Sequence, residues 1–178
     1  RERIKEGIIG QDAAVDEICT HLEIYQAGLS TPGKPAGAII LLGSTGVGKT
    51  ELIKRIAYCL HGSSKNMIRV DCGEFQNEHE IAKLVGAPPG YLGHRETQPY
   101  ITQAKLNNLS SLTSSLQIVL FDEIEKALAG SSGSGDSGVS TRLFSSFLTW
   151  LSDHESDVYV VASCNDISKL PPEFSRAE

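Results

Sequence analysis

The octapeptide Gly43-Ser44-Thr45-Gly46-Val47-Gly48-Lys49-Thr50 lies between the apolar run Ala38-Ile39-Ile40-Leu41-Leu42 and a helical pattern over residues 48–60. It fits G-x-x-x-x-G-K-[ST] in the strand–loop–helix setting that the motif requires. Its glycines let the backbone turn tightly and approach an anion. Successive N–H groups then form a nest for phosphate, and the helix start adds its positive end. Lys49 supplies a point charge for β and γ phosphates, and Thr50 offers a hydroxyl to Mg²⁺. The apolar run reads as a parallel strand buried on both faces, and the helix after the loop is expected to bury Leu52, Ile56 and Leu60.

The remaining pattern alternates strands with helices. Residues 12–29 read as a helix with Ala14, Ile18, Leu22 and Tyr25 on one face. Strands are expected at 67–70, 117–121 and 158–162, and helices at 78–85, 97–108 and 141–151. The Gly/Ser stretch 130–138 is expected to be a mobile loop. Four strands separated by helices imply a parallel α/β sheet, with ligands bound at the carboxyl ends of its strands.

One of those strand ends carries acid. Ile118-Val119-Leu120-Phe121-Asp122-Glu123 places two carboxylates after a buried apolar run. Asp122 is expected to hold Mg²⁺ through water, because Mg²⁺ sheds its waters reluctantly. Glu123 is the candidate base for an attacking water. Asn165 follows the last apolar strand; it suits positioning of that water and, equally, turn formation with Asp166. Nothing resembles the N-K-x-D guanine reader, so ATP is the expected nucleotide.

Composition narrows the alternatives. A net charge of −6 and a pI near 5.4 do not suit a nucleic-acid binder. No apolar run reaches the ~18–20 residues needed to span a bilayer, and the charged N-terminus lacks the apolar stretch of a secretory signal. The expected location is cytoplasmic, with no nucleic-acid or membrane partner. Cys19, Cys59, Cys72 and Cys164 form no C-x-x-C pair and read as buried free thiols. His21 and His154 are expected to face solvent, and Trp150 to lie in the core.

These residues resemble the AAA+ ATPases, and most closely the Clp unfoldase branch. The resemblance covers about residues 4–127 and runs through Ile8-Ile9-Gly10-Gln11-Asp12, "GSTGVGKTE" at 43–51, "EHEIAKLVGAPPGYLG" at 78–93 and "IVLFDEIEKA" at 118–127. It implies an adenine contact at Ile9 and Gly10, and a phosphate loop extending through Glu51. It also implies a substrate-gripping pore loop at Tyr91 and Leu92. The residues from about 128 to 178, ending "VYVVASCNDISKLPPEFSRAE", look more like the narrower AAA branch, with its "ATxND" strand end and "LPPE". That likeness implies Asn165 as sensor 1 and sets the Gly/Ser stretch near a second pore-facing loop.

The resemblance implies a three-layer P-loop NTPase sandwich, here a single AAA+ large subdomain over residues 1–178 without the last strand, helical lid and arginine finger. Arg176 is not assigned the finger role. The implied activity is ATP hydrolysis that drives polypeptide threading through a homo-oligomeric, by resemblance hexameric, ring. A neighbour's arginine can contribute ~10³–10⁵ in rate, so slow turnover is expected of this chain alone. A nucleotide-dependent assembly scaffold is the alternative reading, and a nucleic-acid motor a third that the charge disfavours.

Overall fold

The computed structural model describes residues 1–30, 35–74, 100–128 and 157–170. Expectations for the helices at 78–85 and 141–151, the stretch 130–138, and Tyr91, Leu92, Trp150 and His154 fall outside these residues.

Among the described residues, four strands form one parallel sheet: β1 (Gly37–Leu42), β2 (Ile68–Asp71), β3 (Gln117–Asp122) and β4 (Val158–Cys164), in the order β1-β4-β3-β2. The central strands β3 and β4 are buried at every position, so they read as near-continuous apolar runs. Their side chains nonetheless divide strictly by parity. Val119 and Phe121 of β3 join Val158, Val160 and Ala162 of β4 in one cluster, beside Ile101 and Leu106. Ile118 and Leu120 join Tyr159 and Val161 in a second cluster, with Ile18, Leu22, Ile53 and Ile56. The period of two in a strand generates both faces, and the result is helix, sheet, helix in three layers.

Helix α1 (Glu2–Lys5) and helix α2 (Asp12–Gln26) pack on the second face. α2 buries Val15, Ile18, Cys19 and Leu22, an i, i+3, i+4, i+7 stripe. It stops short of the expected residue 29 because Gly28 turns left-handed at φ 69°. α3 (Lys49–His61) begins after Gly48 and ends at Gly62, whose φ of 75° and N–H to the Tyr58 carbonyl close the last turn. It buries Ile53 and Ala57 along with the expected Leu52 and Ile56, whereas Leu60 is only partly buried. α4 (Gln103–Asn107) starts later than expected because Thr102 is extended and its side chain accepts the Lys105 N–H, which fixes the helix start. α5 (Ile124–Leu128) follows β3 directly.

Two expectations are corrected. β1 is not buried throughout: Ala38 is exposed and Leu42 is 52% exposed, because among the described residues β1 pairs with β4 alone. His21 does not simply face solvent. Its Nδ1 lies 3.0 Å from the buried Tyr159 hydroxyl, and the two rings meet edge to face. No helix among the described residues is long and apolar enough to cross a membrane.

Candidate functional site

Three carboxyl ends of the sheet meet at one place. β1 runs into the loop at Gly43, whose N–H donates to the Cys164 carbonyl at the end of β4. β3 delivers Asp122 and Glu123, and β4 delivers Asn165 just beyond Cys164. The loop needs two left-handed residues, Gly46 at φ 86° and Gly48 at φ 96°, and a Cβ at either would meet nothing within 4 Å. Glycine is therefore required there for its backbone freedom and not for space.

The polar contacts converge on two carboxylates. Lys49 Nζ donates to the carbonyls of Gly43 (2.6 Å) and Ser44 (2.9 Å) and to Asn165 Oδ1 (2.8 Å). Asn165 Nδ2 donates to Glu123 Oε1 at 3.0 Å. Thr50 Oγ1 lies 3.3 and 3.4 Å from the two oxygens of Asp122. Ser44, Thr45 and Val47 are exposed in the loop. Glu51 points outward and pairs with Lys54 at 3.5 Å.

Four residues that the sequence reading did not single out complete the arrangement. Arg69 of β2 grips Asp122 Oδ2 through Nε (2.9 Å) and Nη2 (2.6 Å). Ser163 of β4 donates to Asp122 Oδ1 at 2.5 Å and accepts the Glu123 N–H at 2.9 Å. Lys126, one turn along α5, forms an ion pair with Glu123. Glu125 is 5% exposed, and its Oε1 accepts the Asn165 N–H at 3.1 Å. Parity was the available signal for two of them. Arg69 stands opposite Leu120 in the register, and Ser163 follows Tyr159 and Val161 at period two, so both share the face on which Asp122 sits.

Burial opposes ionisation of Asp122, but hydrogen bonds from Ser163 and Arg69 outweigh it and hold the carboxyl below its ordinary range. Glu123 is also lowered, first by Lys126 and then, against a desolvation cost, by Asn165. Both carboxylates are therefore ionised at neutral pH. Glu123 is also the one described non-glycine residue with positive φ, at 57°.

Thr50 and Asp122 offer oxygen donors alone, which suits a hard cation such as Mg²⁺. No group of three His, Cys, Asp or Glu side chains poised for a metal occurs among the described residues. All four cysteines are free thiols, buried except for the half-buried Cys59.

A cleft of about 220 Å³ adjoins the loop, lined by Gln11, Ala14, Ile39, Leu42, Val47 and Lys49 among others. Gln11 Nε2 donates to the Val47 carbonyl at 3.3 Å, tying the N-terminal segment to the loop. Ile9 is 95% exposed and Gly10 turns at φ 75°. Neither lines this cleft, whereas their neighbour Gln11 does.

Comparison with known proteins places this geometry in a family. The model of the AAA domain (Cdc48 subfamily) matches residues 34–151. The ATP-dependent Clp protease ATP-binding subunit ClpE of Streptococcus pneumoniae is 44% identical over 126 residues, covering 71% of this chain and 16% of that protein. The chaperone protein ClpB of Dichelobacter nodosus is 43% identical over 124 residues, 70% of this chain and 14% of its own length. ClpB of Meiothermus ruber is 40% identical over 126 residues, 71% of this chain and 14% of that protein. The chain thus spans only 14–16% of the length of these relatives. With a parallel α/β sheet, a glycine-rich loop between β1 and α3 and a family model matched over most of its length, the chain belongs to the AAA domain (Cdc48 subfamily) family as a Clp-type AAA+ ATPase domain.

Proposed function

We propose that this chain binds ATP with Mg²⁺ and hydrolyses it as the nucleotide-driven core of a Clp-like protein-remodelling machine. What supports the reading most is a single convergence: Lys49, Thr50, Asp122, Glu123 and Asn165, drawn from the start of α3 and two strand ends, lie within one hydrogen-bonded network joined through Ser163.

The roles follow from the chemistry. The amides of residues 43–48 and the ammonium of Lys49 receive the phosphates; Lys49 then exchanges its carbonyl partners for phosphate oxygens. Gln11, Ile39 and Leu42 flank the cleft that would take the base, and the resemblance adds Ile9 and Gly10, next to Gln11 in the chain, as its further contacts. Thr50 and Asp122 hold Mg²⁺, which when bound offsets charge developing on the phosphoryl group. Glu123 accepts a proton from the attacking water, and Asn165 Nδ2 fixes the direction in which its carboxylate points.

Tyr91 and Leu92 extend the proposal to a polypeptide substrate on the strength of the motif "GAPPGYLG" and of relatives named as chaperone and protease subunits. A glycine-flanked aromatic can press on a chain of any sequence. The working assembly is a homo-oligomeric ring in which neighbours complete each site.

The test is steady-state ATP turnover with Mg²⁺ across a wide protein concentration range, alongside Glu123→Gln. Turnover per subunit that rises with concentration and is lost in the variant supports the reading. Equal turnover in both proteins would remove Glu123 from its role. Absence of nucleotide binding would remove the reading altogether. Tyr91→Ala is expected to bind ATP normally and to lose stimulation by an unfolded polypeptide.

A further inference from the structure

We propose that Ser163 is a positioning residue for hydrolysis, holding the metal-side carboxylate and the backbone of the catalytic base in one rigid unit. The inference rests on the roles given above to Asp122 and Glu123.

Ser163 is a polar side chain in the otherwise apolar strand β4, and it is 1% exposed. A buried hydroxyl is costly unless both its donor and acceptor capacities are used. Both are used here, and both on the same short segment. The O–H goes to Asp122 Oδ1 at 2.5 Å, and a lone pair takes the Glu123 N–H at 2.9 Å.

The position of Ser163 in the sheet explains why this matters. Backbone pairing between β3 and β4 ends at Phe121↔Ala162. Two residues further, just past the end of β3, the chain turns left-handed at Glu123, and the Glu123 N–H goes to the Ser163 side chain. Ser163 meanwhile stays paired to Leu41 of β1 on its other side. Its side chain therefore carries the link between β3 and β4 one step beyond the backbone register.

Two consequences follow for the site. The hydroxyl occupies Asp122 Oδ1 while Arg69 occupies Oδ2, so the carboxylate plane is set from both sides before any cation arrives. The same hydroxyl accepts the Glu123 N–H at the left-handed turn. This keeps the Glu123 side chain within 3.0 Å of Asn165. Both hydrogen bonds of Ser163 go to the segment that carries the two carboxylates, so it works through its neighbours.

Ser163→Ala removes the hydroxyl without adding bulk, and Ser163→Thr restores it. Three readouts are taken on the whole chain: amide hydrogen exchange at Glu123, Mn²⁺ affinity in the presence of a non-hydrolysable ATP analogue, and kcat and KM for ATP. In Ser163→Ala the Glu123 amide is expected to exchange at least about tenfold faster. Mn²⁺ affinity and kcat are expected to fall about 10–100-fold, as for other partners that orient metal ligands, with KM for ATP within about threefold. Ser163→Thr should recover most of each loss. Unchanged Glu123 exchange and Mn²⁺ affinity in Ser163→Ala would overturn the proposal, as would equal losses in Ala and Thr variants that both melt like the parent. A parent protein that fails to bind nucleotide would overturn the ATPase reading instead, and the exchange rate at Glu123 would still decide whether Ser163 holds the turn.

Discussion

Asn165 bridges Lys49 and Glu123: its Oδ1 accepts from the ammonium at 2.8 Å and its Nδ2 donates to the carboxylate at 3.0 Å. One amide thus connects the cation at the start of α3 to the acid at the end of β3. Asn165→Asp replaces the donor with a second negative charge facing Glu123. Turnover is expected to fall about 10²-fold or more, in the range of other lost preorganised donors, while nucleotide affinity changes little. Parallel measurement of kcat and of binding of a fluorescent ATP analogue checks this; an unchanged kcat would exclude Asn165 from the mechanism.

Arg69 places a full positive charge on the carboxylate assigned to Mg²⁺. The guanidinium and the cation compete for the same charge. Arg69→Gln is therefore expected to lower the Mg²⁺ concentration for half-maximal ATP turnover several-fold. A Mg²⁺ titration at saturating ATP measures it, and a midpoint that rises would mean that Arg69 helps to build the metal site.

Gly37 opens β1 against the ring of Tyr159, where a Cβ would lie 2.5 Å from Cε2 and 2.9 Å from Cδ2. Tyr159 is fully buried and held through its hydroxyl by His21, so it has little room to retreat. Gly37→Ala is expected to cost about 1–3 kcal/mol, the usual penalty for overpacking. Urea unfolding reads this directly, and a loss under about 0.5 kcal/mol would show that the ring shifts freely.

His61 ends α3 with Nδ1 3.0 Å from Ser111 Oγ, and burial lowers its pKa against a weaker opposing contact with the Leu116 backbone. The unfolded chain, with an ordinary imidazole near ~6.5, takes up the proton first. Stability is therefore full above that value and declines as pH falls through it, until the lowered folded value is reached. The melting temperature is expected to drop between about pH 7.5 and 5.5, with a smaller drop in His61→Gln. Identical pH profiles would show that His61 titrates alike in both states.

The fold, and the meeting of Lys49, Thr50, Asp122, Glu123 and Asn165 at one end of the sheet, were legible because each rests on a local pattern. The phosphate loop is fixed by eight consecutive residues, and β3 and β4 by unbroken apolar runs. The supporting side chains were not legible for the opposite reason. Arg69 and Ser163 meet at Asp122 because β2 and β4 flank β3 in the order β1-β4-β3-β2, and alternation of strands along the chain does not disclose that order. The exposure of Ala38 and Leu42 was missed for the same cause: an apolar run reads alike at an edge and at the centre of a sheet. Capping decided the shifted start of α4, where Thr102 looks like any other polar residue in a helical stretch until its backbone is seen to be extended.

Glu123 holds a left-handed backbone that favours Gly and, to a lesser degree, Asn, at a cost of about 1–2 kcal/mol for other residues. Heat resistance and chemistry therefore make opposite demands on one codon. A library randomised at residue 123 and selected for survival of heating alone would drift toward Gly and Asn, neither of which carries a carboxylate. The same library selected for phosphate release would return Glu.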